Sequence, residues 1–240
     1  MPSPPHLLLL PGLACDADVW TGQVNALSEI TTVSVADYGA SDSIARMAET
    51  ALVDMPERLA IAGHSMGGRV AFEILRTASD RVAAVALLDT AYRPFAGGQA
   101  GEREMAKRNA LLEVARTKGM CSMAEFWLPA IIHPERLTDE ALTSAIVGMM
   151  GRKTYEVFAA QIHALVNRPD ATSVLATIRC PTLVLVGRED TWSPLAGHQE
   201  IAAAIPNAQL GVIESCGHMA SMERPAEVTA ALTQWFSGLS

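Results

Sequence analysis

Ser65 stands at the centre of Gly63-His64-Ser65-Met66-Gly67, with Gly68 following. Before it runs an apolar strand, Leu59-Ala60-Ile61-Ala62. After it, residues 66–78 read as a helix with Val70, Ile74 and Ala78 on one face. A serine at such a junction sits in a tight turn that lifts its hydroxyl above the sheet edge. Strand and helix backbones crowd there, so the residues two before and two after must be small, and Gly63 and Gly67 meet that need. The helix N-terminus beside Ser65 favours developing negative charge. The chemistry this permits is nucleophilic attack by a hydroxyl, provided a base removes its proton.

Of the six histidines, His218 is the candidate base, in Cys216-Gly217-His218-Met219 just after the strand Gln209–Ile213. Parallel strands share a C-terminal edge, so that position lies at the edge that carries Ser65. His6 begins a strand at the opposite edge, and His64 lies inside the turn, directed away from Ser65. His133, His163 and His198 fall in or near helices and read as packed or surface histidines. The base needs a carboxylate to fix its tautomer. Asp190 follows the strand 182–186 in Gly187-Arg188-Glu189-Asp190 and is the candidate. Glu189 and Asp89 are its rivals: the first is expected to point elsewhere, the second to hold the loop leaving the strand Val82–Leu88. Negative charge on a reacting carbonyl oxygen would be met by the backbone N–H groups of Met66 and Leu13. Leu13 belongs to Leu10-Pro11-Gly12-Leu13-Ala14, where Gly12 lets the backbone pass close to a ligand.

The elements that must position these groups follow from hydrophobic patterning. Strands are expected at His6–Leu10, 31–36, 58–62, Val82–Leu88, 182–186 and Gln209–Ile213, alternating with helices at 16–27, 43–55, 66–78, 195–205 and 226–236. This alternation implies a mostly parallel sheet covered on both faces. From 91 to 179 the rhythm changes to helices alone, at 103–118, 122–132, 139–150 and Tyr155–Val166. The expected division is a sheet domain of residues 1–90 and 180–240 with a helical cap of 91–179. The cap's Met105, Met120, Met123, Phe126, Trp127, Met149, Met150 and Phe158 read first as packing. Trp127 and Met149, with Trp192 and Gly12, are the candidate substrate contacts. Arg152 and Lys153 read as solvated surface, with a substrate carboxylate as their alternative partner.

The 240 residues suffice for one sizeable core, and half of them are hydrophobic with 18% charged, as in folded globular proteins. A net charge of −8 without blocks of like charge argues against nucleic acid or an anionic membrane as partner. Cys15, Cys121, Cys180 and Cys216 lack Cys-x-x-Cys or zinc-finger spacing and read as buried or half-buried thiols in a reducing cytoplasm. No Lys or Arg precedes the apolar run 7–10, and Pro11-Gly12 ends it, whereas a signal peptide needs a basic start and about 7–15 apolar residues. The expectation is a soluble cytoplasmic protein that needs no metal or organic cofactor. Its oligomeric state is open.

Leu-Pro-Gly-Leu after the first strand, Gly-His-Ser-Met-Gly-Gly, Gly-Arg-Glu-Asp and Cys-Gly-His-Met-Ala, in that order, resemble the lidded α/β-hydrolases that include bacterial carboxylesterases, enol-lactonases and C–C bond hydrolases. The resemblance covers the sheet domain on both sides of the insert. It implies the α/β-hydrolase fold, a triad of Ser65, Asp190 and His218 in the family's chain order, and hydrolysis of a small ester or lactone through an acyl-enzyme. Alternatives are a C–C bond hydrolase acting on a vinylogous keto acid, a cofactor-free haloperoxidase or lyase, and a pseudo-enzyme that only binds a ligand. Two departures stand out. Pro11 replaces the family's usual histidine before Gly12, and the chain starts at what the family counts as its third strand, leaving about six. Met219, where small hydroxynitrile lyases carry a lysine, counts against lyase chemistry.

Overall fold

Four consecutive leucines make the first strand, β1 (His6–Leu10), and all four are buried. Burying each leucine contributes roughly 1.5–3 kcal/mol, which favours an interior place in the sheet for this run. In the computed structural model, which describes residues 4–239, β1 is followed by α1 (Thr21–Leu27), β2 (Val33–Val35), α2 (Ile44–Ala51), β3 (Leu59–His64), α3 (Met66–Thr77) and β4 (Val82–Leu88). Five helices come next: α4 (Gly98–Lys118), α5 (Met120–Ile131), α6 (Glu140–Gly151), α7 (Tyr155–Val166) and α8 (Thr172–Leu175). The alternation resumes with β5 (Thr182–Gly187), α9 (Leu195–Ala204), β6 (Gln209–Ile213), α10 (Ala220–Glu223) and α11 (Pro225–Ser237).

The six strands form one sheet in the order β2-β1-β3-β4-β5-β6, and every neighbouring pair is parallel. Helices α1 and α11 pack together, as do α2 and α3. Strands β3 and β5 are buried along their whole length, as a sheet covered on both faces requires. The strand order reverses at β1. The chain leaves β1 towards β2 on one side and returns as β3 on the other, so the loops after β1 and β3 diverge and leave a crevice between them. Leu13 follows β1 and Ser65 follows β3, so topology alone brings these two to that crevice.

Several helix starts match side chains that invite them. Ser43, Asp139 and Thr154 accept the backbone N–H of Arg46, Leu142 and Val157 at 3.3, 3.1 and 3.3 Å. Asp16 caps instead a short 3-10 turn, Ala17–Trp20, that precedes α1. The first helix after β4 begins at Gly98, earlier than the expected 103, because Gly101 lets it close against the carbonyl of Ala96. The Ala171 N–H donates to the Tyr92 carbonyl at 3.0 Å, joining the outgoing and returning chain, and α8 rests against α3. No helix among the described residues is long and apolar enough to cross a membrane. Cys15 and Cys216 are buried and Cys180 half-buried, while Cys121 is exposed, unlike the buried or half-buried thiols expected.

Candidate active site

Ser65 occupies a backbone conformation of φ 54° and ψ −114°, a region that costs a non-glycine residue of order 1–3 kcal/mol. The strain is held from several sides. Its N–H donates to Leu88 O at 2.9 Å, and its carbonyl accepts from Thr90 Oγ1 at 2.7 Å. A Cβ on Gly67 would lie 2.0 Å from Leu10 O, so only glycine lets α3 start this close to the end of β1.

Ser65 Oγ donates to His218 Nε2 at 2.8 Å, and His218 Nδ1–H donates to Asp190 Oδ2 at 2.8 Å. The other Asp190 oxygen accepts from the N–H groups of Trp192 and Ser193, both at 2.8 Å, which fixes the carboxylate's orientation. His218 follows the edge strand β6, two strands away from β4 in the sheet, yet its ring reaches the end of β3. The loop achieves this by crossing directly over the end of β5. A Cβ on Gly187 would lie 2.0 Å from Gly217 O and 2.5 Å from Cys216 O. Gly187 therefore serves the histidine more than it serves its own turn.

The rivals for the acid lie elsewhere. Glu189 accepts from the Cys216 N–H at 2.9 Å and so helps to hold the loop. Asp89 is fully buried, with Oδ1 accepting from the Gly187 N–H at 2.9 Å. Burial, followed by the nearby Asp190, pushes the Asp89 carboxyl well above its usual range. Asp89 thus ties the end of β4 to the end of β5, not the outgoing loop as expected. His198 holds that loop instead, its Nε2 accepting from the Thr90 N–H at 2.8 Å while Nδ1–H donates to Pro194 O. His64 also supports its neighbours: Nε2–H donates to the His218 carbonyl at 2.8 Å, and the ring meets Trp20 edge-on. Burial lowers both His64 and His198 to about 4, so both stay neutral at pH 7.

Leu13 and Met66 line the same cavity as Ser65, with a volume of about 340 Å³. Their N–H groups make no hydrogen bond among the described residues. The Leu13 loop is braced by Ala14 N–H donating to Gln161 Oε1 of α7 at 2.9 Å and by Tyr38 OH donating to Pro11 O at 3.3 Å. Gly12 packs against His64, where a Cβ would lie 2.8 Å from Nδ1. Trp127 and Trp192 both line the cavity, in edge-to-face contact at 5.2 Å. Met149 does not: it is fully buried among the helices. Arg152 pairs with Asp16 and Asp18, and Lys153 lies 3.9 Å from Asp37, so neither lines the cavity.

One group absent from the sequence reading is Glu223, fully buried on α10. Its carboxylate accepts from the N–H groups of Gly217 at 3.0 Å and Met219 at 3.2 Å, on either side of His218, and from His133 N–H at 2.7 Å. The His218 N–H itself donates to Ile131 O of α5 at 2.8 Å. Burial raises the Glu223 carboxyl against the pull of those three donors. A glutamate five residues past a histidine carries no spacing signal of its own, and before Pro225 it reads as an ordinary carboxylate at a helix start.

Comparison with known proteins puts this geometry in context. The model of the alpha/beta hydrolase family matches residues 7–232. An esterase from Thermogutta terrifontis, solved with malate bound, superposes with a TM-score of 0.86 at 28% identity, over 98% of this chain and 90% of that one. The enol-lactonase from Burkholderia xenovorans LB400 gives 0.83 at 25% identity, over 98% and 92%. A 2-hydroxy-6-oxononadienedioate/2-hydroxy-6-oxononatrienedioate hydrolase of Cupriavidus pinatubonensis is 28% identical over 70% of this chain, and the match spans 58% of that relative's length.

Proposed function

The chain belongs to the alpha/beta hydrolase family, and from that premise we propose that it is a serine hydrolase of small carboxylic esters or lactones. One observation carries the reading: Ser65, His218 and Asp190 form an unbroken relay of two 2.8 Å hydrogen bonds at the wall of a cavity. In this reading the residues 91–179 form a cap over that cavity.

His218 Nε2 takes the Ser65 proton as Oγ attacks the carbonyl carbon, and the Asp190 carboxylate stabilises the imidazolium that results. The carbonyl oxygen becomes an oxyanion facing the Leu13 and Met66 N–H groups. Its collapse expels the alcohol, which takes the proton from His218 Nε2 and leaves Ser65 acylated. Water then attacks the acyl-enzyme, His218 again accepts the proton, and the acid departs with Ser65 restored. The strained turn fixes Oγ before substrate arrives, so little reorganisation is needed at the moment of reaction.

A fluorophosphonate should label the wild-type chain and leave Ser65→Ala unlabelled. Ser65→Ala should also lose at least about 10⁴ in kcat on 4-nitrophenyl hexanoate, with its circular dichroism unchanged. A Ser65→Ala chain that still turns over the ester near the wild-type rate removes Ser65 from the mechanism. C–C bond cleavage is the second reading, favoured by the Cupriavidus relative. Ring-fission dienoates in the same assay separate it from ester chemistry.

A further inference from the structure

We propose that the substrate carries a second group, an oxyanion such as a carboxylate, held by the cationic lining of the cavity that Ser65 enters. This inference rests on the hydrolase reading and names its substrate class. The chain as a whole has a net charge of −8, yet Arg69, Arg103, Lys107, Arg108 and Arg168 all line this one cavity, with Glu104 as the sole carboxylate among its lining residues.

Glu104 is already committed. It accepts from Arg168 Nη1 at 2.7 Å and Nη2 at 2.9 Å, and from Arg108 Nη2 at 2.7 Å. Burial acts to raise its carboxyl, but these two guanidiniums outweigh that and hold it at about 2. One carboxylate thus pairs with two arginines and leaves three cations of the cavity without a salt bridge among the described residues. Arg103 donates to Gln99, Arg69 donates to the Arg93 carbonyl, and Lys107 Nζ stands 5.9 Å from the centre of the Trp192 ring. Arg69 lies one helical turn past Ser65 on α3, so its guanidinium is built into the framework that holds the nucleophile. Burial and then Arg168 both disfavour its charge, with Glu104 the one attractive neighbour. A guanidinium stays protonated all the same, and an anion from outside would relieve the excess.

Unused hydrogen-bond donors accompany the unused charge. Arg108 is 4% exposed and Trp127 4% exposed, and both line the cavity. Arg108 Nη1 and Trp127 Nε1 are buried without a partner. A buried donor without a partner is costly, and an oxyanion with several lone pairs would supply one. The forked guanidiniums suit a carboxylate or a phosphate equally, and a cavity of about 340 Å³ admits a small molecule of either kind.

The test compares 4-nitrophenyl hydrogen adipate with 4-nitrophenyl hexanoate, which differ by a carboxylate in place of the terminal methyl. The wild type should prefer the adipate in kcat/KM by at least about tenfold, and 0.5 M NaCl should shrink that preference. Arg69→Gln and the exposed pair Arg103→Gln/Lys107→Gln should each cut the ratio at least about threefold. The second variant changes surface residues only, so failure to fold does not stand in its way. A separate arm titrates Ser65→Ala with adipate and with inorganic phosphate, read by Trp192 and Trp127 fluorescence. Tighter binding of adipate identifies a carboxylate, and tighter binding of phosphate a phosphorylated substrate. Binding of either anion with no turnover of either ester keeps the anion site and discards the hydrolase reading. Hexanoate cleaved as well as adipate, a ratio unmoved in both variants, or no anion binding by Ser65→Ala overturns the proposal.

Discussion

Two regions meet at the cavity, and they are built by different rules. The sheet-edge loops carry Ser65, Asp190, His218 and Leu13, each within a few residues of a strand end. A parallel sheet aligns those ends, and the backbone itself delivers the groups: a strained turn at Ser65, and a loop drawn over Gly187 for His218. The helices between β4 and β5 contribute differently. Trp127, Lys107 and Arg108 face the cavity by virtue of how α4 and α5 dock, and a small rotation of either helix would replace them with neighbours. In the proposed reading the first region sets the reaction type, and the second selects the substrate.

The sharpest way to break that division is within the sheet edge. Asp190→Asn keeps the shape but removes the acceptor that sets the His218 tautomer, a change that costs a serine protease about 10⁴ in kcat. We expect a loss of at least about 10² here, with KM little changed. Asp89→Asn should act on thermal stability, because Asp89 holds the Gly187 N–H and does not touch His218. Reversed outcomes in steady-state kinetics would move the acid to β4. The next effect in size crosses the two regions. Glu223 joins the His218 loop to His133, so Glu223→Gln should lower kcat by about tenfold and slow fluorophosphonate labelling in parallel, with KM on a neutral ester changing less. Equal changes in kcat and KM, or none, would reduce Glu223 to a packing role.

The same division governs what could be read in the sequence. The six strands and their order of chemistry were legible because apolar runs of β-branched residues and leucine, stopped by glycine and proline, mark strand ends to within a residue or two. Ser65, Asp190 and His218 met at the expected edge for that reason. The long-range supports were not legible. Glu223, Gln161 and His198 act across the fold, and nothing in their local sequence distinguishes them from surface residues. In the helices, periodicity says that one face is buried but not against what. Trp127 and Met149 look alike as apolar helical residues, yet one lines the cavity and the other lies in the packing. Arg103 and Lys107, four apart on α4, carried no signal that singled them out and yet line the cavity, while Arg152, for which a substrate carboxylate was the alternative partner, meets Asp16 and Asp18.

Two buried histidines should make the sheet edge sensitive to acid. His64 and His198 fall from the ordinary 6.5 to about 4 through burial, so the unfolded chain binds their protons more readily. Their contribution to stability is complete above pH 6.5 and declines as the pH falls towards 4. Asp89 and Glu223, raised by burial, act with the opposite sign, because their protonated forms suit the fold. The difference between wild type and His198→Gln isolates one histidine. Chemical denaturation should show a wild-type slope steeper than the variant's by about 1.4 kcal/mol per pH unit between pH 6.5 and 4. Parallel slopes would mean that His198 is charged in the fold, and its acceptance from the Thr90 N–H could not stand.

The smallest effect separates two kinds of residue inside the helices. Trp127 lines the cavity and leans edge-on against Trp192, whereas Met149 is fully enclosed. Replacing Trp127 with alanine enlarges the cavity where an acyl chain would lie. The kcat/KM ratio of 4-nitrophenyl decanoate to acetate should therefore rise about threefold or more, since each added methylene that finds apolar cover contributes about 0.8 kcal/mol. Met149→Ala removes atoms from closed packing and should destabilise the chain by roughly 2–5 kcal/mol while leaving that ratio within about twofold of wild type. If Met149→Ala moves the ratio and Trp127→Ala does not, α6 and not α5 forms the wall opposite Ser65. The cationic groups of α4 would then need to reach a substrate lying along a different axis, and the preference for an anionic ester should fall with that same variant.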